Sequence, residues 1–453
     1  MGARCRRAAA DGALLTALPD YLVLDPSIER LPPDQLRALQ EERFLGIVRY
    51  VYARSPFWRR KLDASGIAPP DVRSLDDLAR LPFSTKEELQ VDQQQHPPFG
   101  SYVACDRREL VRFMATSGTT GQPLRRVFSS RDWSYVLDRF QRNPSVGPGD
   151  VVVTLGPIDG LMGPTASAES AARAGAMMVL AGLYDSATKV RLIAELRPTA
   201  VAGAASYLLH LIDVAARESI DLTSLGIRTV ASVGEPGAAV EATRQRLEAG
   251  WGAWVRDGYG MTELFPLGGG CRHSTSLHIA SDFVITEIVD PQAGRPVAAG
   301  TPGEVVYTNI IGDSHTLLRY RTGDVARLSP PGACACGFTG VRLDRAIEGR
   351  VDDMIWVRGA NVFPSAIEAV VRGFEELGDE YEIVVDERRD LPALRVRAEL
   401  KPGAVADDDL MARVDRALVA AIRISADLDL LPFATLPRAD ARTKKRRVVR
   451  LQR

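Results

Sequence analysis

Between residues 111 and 255 the chain alternates short apolar runs with helical stretches, and this rhythm limits the fold more than any other feature. The runs lie at 151–155, 177–180, 200–202 and 229–233, each rich in Val, Ala, Met or Leu. Apolar strands this short, with helices between them, are buried on both faces only in a sheet that helices cover on each side. The pattern therefore predicts an α/β region with a largely parallel sheet.

The flanking segments read differently. Leu36, Leu39, Phe44, Ile47, Val48 and Val51 recur at helical spacing, which predicts an amphipathic helix over 33–53. Ser74 before Asp76-Asp77 and Ser84 before Glu87-Glu88 have the look of helix N-termini. After residue 277 strand runs at 283–289 and 304–308 are separated by Gly294 and Pro302-Gly303, which predicts a β-rich subdomain. After residue 346 a compact αβ unit is expected, with strands at 381–385 and 394–398 and a helix at 408–423. No internal repeat or low-complexity segment interrupts the chain.

Length and charge narrow the class. The 453 residues fit one large and one small domain or about three units of ordinary size. With 57 Lys and Arg against 58 Asp and Glu, the chain lacks the cationic excess of a general nucleic-acid binder. No run of 18 apolar residues is present, so no membrane span is expected. Five cysteines in so long a chain cannot form a disulfide framework, which points to a reducing cytoplasm. The basic start, Arg4 to Arg7, precedes an apolar stretch broken by Asp11 and Gly12; residues 1–28 read as a loosely docked leader, not a secretion signal.

The sharpest motif is Thr116-Ser117-Gly118-Thr119-Thr120-Gly121-Gln122-Pro123, directly after an apolar run. Two glycines let successive N–H groups turn inward, and four hydroxyls surround them, a nest suited to polyphosphate oxygens. The Gly-Lys-Ser/Thr ending of a Walker loop is absent, which argues against motor and GTPase families. An ordinary Ser/Thr-rich turn is the alternative reading. Downstream stand Asp257-Gly258-Tyr259-Gly260-Met261-Thr262-Glu263, Arg319-Tyr320-Arg321-Thr322-Gly323-Asp324 and Glu348-Gly349-Arg350-Val351-Asp352.

In this order, together with Ser55-Pro56-Phe57-Trp58, Leu81-Pro82-Phe83-Ser84-Thr85-Lys86 and Gly234-Glu235-Pro236, the motifs resemble the adenylate-forming superfamily, and within it the phenylacetate–CoA ligase family, from about residue 29 to 448. The resemblance implies an α/β adenylation domain over 29–349, with ATP and acid sites, parallel sheets and a β-rich subdomain. A small mobile α+β domain would follow over 350–453, with its hinge at Asp352. It implies that Ser117, Gly118, Thr119, Thr120 and Gly121 wrap the β- and γ-phosphates. Gly234, Glu235, Pro236 and Tyr259 would hold adenine, in a loop that includes Asp257 and Gly260. Thr262 would meet the α-phosphate and Glu263 would ligate Mg²⁺; Asp324 would bind the ribose and Arg350 would lie near ribose and phosphate. The adenylation lysine of the family maps to Lys444, with Lys445 its rival, because the glycine that usually precedes it is missing.

The acid pocket departs from the family. The histidine-tyrosine pair expected there is replaced by a segment from Asp159 and Gly160 to Glu169. A buried Glu169 would need an arginine or an amino group on the substrate as partner, which favours an amino-bearing aryl or cinnamyl acid; a surface or helix-capping acid is the equal alternative. Gln122 stands where the phosphate loop usually has lysine, leaving Arg125 or Arg126 to compensate.

The implied reaction is ATP-dependent activation of an aromatic carboxylic acid as its adenylate, then transfer to coenzyme A. The alternatives are a diazotase using nitrite and an aryl amine, an amide synthetase, and a nucleotide-binding protein without turnover. The oligomeric state, monomer or homodimer, is left open. Finally, Cys271, His278, Cys334 and Cys336 make a candidate Cys₃His structural zinc site, with His273 the rival for the fourth ligand. Thiols that are near one another by chance are the alternative. Cys5 and Cys105 are assigned nothing.

Overall fold

The computed structural model describes residues 26–116, 123–141, 146–158, 160–235, 237–264, 266–352, 355–357, 360–388, 393–438 and 447–451. The expected leader up to residue 25, Ser117 to Gln122, Asp159, Pro236, and Lys444 with Lys445 lie outside these residues.

Three helices form the N-terminal layer: α1 (Pro33–Arg54), α2 (Pro56–Ala64) and α3 (Lys86–Gln95). Proline in the first turn starts both α1 and α2, where its missing N–H costs no helical hydrogen bond. In α2 Trp58 is fully buried and its indole donates to the Thr316 carbonyl at 2.9 Å. Burying roughly 200 Å² of aromatic surface is worth about 5 kcal/mol before entropy, so this side chain anchors the layer to the body. Ser74 caps a short 3₁₀ turn. The second expected N-terminus is shifted by one residue. Thr85, not Ser84, caps α3 in a reciprocal box with Glu88, and the Ser84 hydroxyl instead donates to the Leu318 carbonyl.

A hairpin of β1 (Leu110–Ala115) and β2 (Arg125–Ser129) leads into α4 (Ser130–Gln141). Then β3 (Val151–Thr154), α5 (Met162–Arg173), β4 (Met177–Leu180), α6 (Ser186–Leu196), β5 (Ala200–Gly203), α7 (Ala205–Arg217), β6 (Thr229–Val233), α8 (Glu241–Trp251) and β7 (Trp254–Gly260) alternate as expected. All neighbouring pairs among β3 to β7 are parallel.

The strands that follow are β8 (Pro266–Cys271), β9 (Ser274–Ile279), β10 (Val284–Val289), β11 (Gly303–Asn309), β12 (Tyr320–Leu328) and β13 (Arg342–Arg350). The expected β-rich region is thus present, as the antiparallel half of the same sheet. Its eleven strands run β10-β11-β12-β13-β9-β8-β7-β6-β5-β3-β4, changing from antiparallel to parallel where β8 meets β7. One apolar core lies between the antiparallel half and the N-terminal layer, and a second lies between the parallel half and helices α6 to α8.

A small hairpin, β14 (Ile355–Val357) and β15 (Ala360–Val362), precedes α9 (Pro364–Arg372). The terminal unit then has β16 (Leu377–Asp386), β17 (Ala393–Leu400), α10 (Asp408–Ile422), β18 (Asp427–Leu431) and β19 (Val448–Leu451), in a sheet ordered β18-β17-β16-β19 with its own core. A large N-terminal and a small C-terminal α/β domain result. Among the described residues no helix is long and apolar enough to cross a membrane.

Candidate functional site

In a doubly wound sheet ligands gather beyond the C-terminal ends of the parallel strands, where connections to opposite faces diverge. Here those ends carry the glycine-punctuated segments. Gly234 follows β6 with φ +90°, and Tyr259 and Gly260 close β7 ahead of Thr262 and Glu263. The two sides of the segment 117–122 are tied by Thr116, whose N–H donates to the Leu124 carbonyl at 3.0 Å and whose hydroxyl accepts the Leu124 N–H at 2.9 Å.

A linked set of polar groups crosses from β7 to β13. The Tyr259 hydroxyl donates to Asp324 at 2.8 Å, and Asp324 stands opposite Arg350 across β12 and β13, 2.8 Å from its guanidinium. Arg350 also holds Asp352 at 2.9 Å. Gly323 makes this possible: its φ is +74°, and a Cβ there would stand 2.7 Å from the Arg350 guanidinium. Burial and the Asp324 charge push the Tyr259 hydroxyl well above its ordinary pKa, so it stays a donor. Burial also pushes the Asp257 carboxyl up to about 7.

The second set surrounds Glu263, which is 8% exposed. The Lys86 ammonium lies 3.1 Å from its carboxylate. Two bonds lay the segment before α3 against the start of β12: Ser84 N–H donates to the Arg319 carbonyl, and Arg321 N–H to that of Ser84. Phe83 packs under the Arg319 guanidinium at 4.0 Å, and Arg319 is clamped by Glu287 at 2.8 Å. The Leu-Pro-Phe-Ser-Thr-Lys motif therefore delivers a cation to the carboxylate. Arg126, 1% exposed on β2, adds a second positive charge acting on Glu263. Its guanidinium donates to the His315 carbonyl at 2.7 Å, while Nε and the other terminal nitrogen have no hydrogen-bond partner among the described residues. Glu263 offers the hard carboxylate oxygens that Mg²⁺ prefers, so this residue fits that ion.

Residues 48–311 match the family described as AMP-binding enzyme, and residues 359–451 match the AMP-binding enzyme C-terminal domain. A phenylacetate–coenzyme A ligase of Thermus thermophilus is 32% identical, covering 95% of this chain and 100% of its own length. The chain belongs to the phenylacetate–CoA ligase family of adenylate-forming enzymes. Its reaction class is that of an AMP-forming acid–thiol ligase.

A second phenylacetate–coenzyme A ligase, from Escherichia coli K12, is 32% identical over 92% of this chain and 96% of its own. Among solved structures, 2-hydroxyisobutyryl-CoA ligase in its post-adenylation state matches at TM-score 0.88 and 28% identity, over 94% of this chain and 92% of that one. In its thioesterification state the same ligase matches at only 0.70 and 30% identity, over 94% and 91%. By this measure the chain is more similar to the post-adenylation structure of that ligase than to its thioesterification structure.

Several residues expected from the sequence come together: Tyr259, Asp324, Arg350 and Asp352 in one set, Glu263 in the next. Glu235 is engaged locally, its carboxylate accepting the Ser206 N–H at the start of α7. The phosphate loop and the terminal lysines lie outside the described residues. At Glu169 the partner is an arginine, one of the two alternatives offered for it. Glu169 is bound by the Arg112 guanidinium at 3.0 and 3.2 Å and by the Trp133 indole at 2.7 Å, and its side chain is 34% exposed. Its partner is supplied by the chain, so it does not call for an amino group on the acid. Gly160 turns with φ +72°, its carbonyl accepting the Ala115 N–H.

One contributor carries no role in the sequence reading: Lys86, whose place after a Pro-Phe-Ser-Thr run is the signal that points to it. Of the two arginines offered to replace the lysine absent at Gln122, Arg126 is buried beside Glu263, whereas Arg125 is exposed. The cysteines converge with His278. Ligand atoms of Cys271, His278, Cys334 and Cys336 all lie within 4.8 Å of one another, and His273 is exposed outside the group.

Proposed function

We propose that the enzyme condenses ATP with a small aromatic carboxylic acid to give an acyl-adenylate and pyrophosphate, and then transfers the acyl group to coenzyme A. The observation that carries this reading is the paired arrangement at the strand ends. Arg350, Asp324 and Tyr259 form a hydrogen-bonded set that supports a nucleoside site, and the pairing of Lys86 with Glu263, on which the Arg126 charge also acts, supports a phosphate site. When a carboxylate attacks phosphorus, anion meets anion, so cations fixed in advance lower the barrier without reorganising. Mg²⁺ held by Glu263 would supply further charge neutralisation, with Thr262 meeting the α-phosphate. Asp324 accepts from ribose hydroxyls, Arg350 steadies Asp324, and Gly234 and Tyr259 bound the adenine. Lys444 is the adenylation lysine in this reading. The domain boundary is placed at Arg350, with Asp352 as the hinge for the second half-reaction.

The aromatic acid is supported by the phenylacetate ligases at 32% identity. The amino-bearing substrate loses its motive once Glu169 is paired with Arg112 and Trp133, and no observation favours the nitrite or amide reactions. Cytoplasmic residence accords with four described cysteines that are all unbridged.

The test is pure enzyme with ATP, Mg²⁺ and a panel of arylacetic, benzoic, cinnamic and short hydroxy acids, with and without coenzyme A. Pyrophosphate and acyl-CoA mass are followed. Arylacetic or other aryl acids should give both products. Thioester formed only from aliphatic acids would refute the aromatic assignment, and turnover that requires nitrite or an amine in place of coenzyme A would refute the acceptor.

A further inference from the structure

We propose that Cys271, His278, Cys334 and Cys336 bind one Zn²⁺ in a closed tetrahedral site that staples the β8–β9 hairpin to the loop between β12 and β13. Cys271 Sγ lies 3.8 Å from Cys334 Sγ, and Cys336 Sγ lies 3.9 Å from His278 Nδ1. A tetrahedral zinc with Zn–S bonds of about 2.3 Å has sulfur–sulfur edges of roughly 3.8 Å and sulfur–nitrogen edges of roughly 3.6 Å. The side chains therefore stand at the separations that coordination requires. A disulfide needs sulfurs at about 2.05 Å, so the same distances exclude a bridge.

The local backbone prepares the ligands. Cys334 and Cys336 sit in a tight turn in which Gly337 N–H donates to the Cys334 carbonyl and Cys334 N–H to that of Phe338, both at 2.8 Å. Gly337 has φ +93°, which lets the turn close. Backbone N–H groups point at two of the sulfurs: His273 N–H at Cys271 and Cys336 N–H at Cys334. The His278 ring stacks on Phe338 at 4.4 Å and is nearly parallel to it. Its Nδ1 faces Cys336 and its Nε2 has no hydrogen-bond partner among the described residues. A core histidine retained for structure alone would use its nitrogens in protein hydrogen bonds; this one presents Nδ1 to thiols.

The charge around the cluster fits a thiolate complex. Arg342, Arg139 and Arg256 all act on His278 with positive potential. Three thiolates around Zn²⁺ leave a net charge of minus one, which these guanidinium groups would stabilise.

The position also explains what the ion would do. Strand β8 reads Pro-Leu-Gly-Gly-Gly-Cys, poor in the side chains that hold a sheet together, and its register with β9 is irregular between Gly269 and Cys271. Strand β9 pairs with β13 at only two positions, His278 with Arg342 and Leu277 with Leu343. This short ladder, extended by the Ile279 N–H to the Val341 carbonyl at 2.9 Å, joins β10–β13 to the rest of the sheet, and the four ligands come from both sides of the joint. Cys271 is roughly 17 Å along the strand from Pro266, the β8 end that follows Thr262 and Glu263. With four protein ligands and no open position, the site is structural.

The experiment uses the full-length protein purified without chelators. Zinc is measured by plasma emission spectrometry, and released zinc is followed with a chromophoric chelator after a mercurial blocks the thiols. About one zinc per chain is expected, with an absorption-edge spectrum of three sulfurs and one nitrogen. Cys334→Ser should lose most of the metal and melt at lower temperature, while Cys105→Ser should keep both. Should Cys334→Ser fail to fold, the wild-type release titration decides alone. Protein that carries under a tenth of an equivalent and takes up none when reduced and supplied with Zn²⁺ would overturn the proposal. So would stoichiometric iron, or full zinc in folded Cys334→Ser.

Discussion

Replacing Lys86 by Met removes one charge from the Glu263 cluster and keeps most of the aliphatic stem. At the observed 3.1 Å, two unit charges attract by about 5 kcal/mol with an effective dielectric constant near 20. Lys86 is 31% exposed and its partner 11%, so solvent and desolvation reduce the net value to about 1–3 kcal/mol. In the proposed reading the cation faces the polyphosphate while ATP is bound, so the loss falls on nucleotide binding. That energy corresponds to a roughly 5- to 150-fold rise in KM for ATP. The assay is pyrophosphate release against ATP concentration at fixed Mg²⁺ and saturating acid. Lys86→Arg should stay within roughly threefold of wild type. Thioester formation from a preformed adenylate should be unchanged, because pyrophosphate has left by then. A folded Lys86→Met enzyme whose KM for ATP is unchanged or lower would show that Lys86 only parks Glu263 and does not serve the phosphates.

Three further outcomes follow from other contacts. Arg246 on α8 reaches Asp379 on β16 at 2.5 Å, joining the large domain to the small one; if this arrangement serves the first half-reaction, Arg246→Ala should slow adenylation roughly three- to tenfold and spare thioester formation in single-turnover assays, and equal slowing of both would refute the latch. Glu169→Gln should leave the preference between aryl and amino-aryl acids unchanged within about twofold, since Arg112 and Trp133 already engage that carboxylate; a marked switch in kcat/KM would return Glu169 to the acid pocket. Burial and the neighbouring Asp132 raise the Asp313 carboxyl from 3.8 to about 7. A raised folded-state pKa stabilises the protonated protein, a contribution complete below pH 4 and lost as pH climbs to about 7. Asp313→Asn should therefore flatten the fall in urea midpoint between those values, and an unaltered pH profile would refute the shift.

The parts of the site that could be read from sequence depend on local backbone geometry. Gly323 must accept φ +74° beside Arg350 within β12, and Gly234 must turn at φ +90° after β6, so both positions call for glycine on local grounds. The strands were legible for a related reason, since apolar runs bounded by turns report burial directly. The Lys86–Glu263 pair was not. Neither residue's own surroundings in sequence carry a trace of the other, and only the docking of the segment before α3 onto β12 brings them together. Glu169 was open for the same reason: its partners Arg112 and Trp133 come from β1 and α4, and composition does not tell a salt-bridged acid from one awaiting substrate.

By itself the sequence determined the fold class, the order of the motifs, the family resemblance and the set of chemistry-bearing residues, because each follows from short-range patterns of size, polarity and backbone freedom. Tertiary structure alone decided which charges pair, that Arg126 is the buried cation, that Glu169 is already satisfied, and that His278 joins the three cysteines while His273 stays exposed. Those choices depend on strand register and on which elements pack face to face. The physical reason is range: an isolated segment sets its own dihedral angles, but the energy of a charge or a ligand depends on neighbours that only the folded sheet brings within a few ångströms.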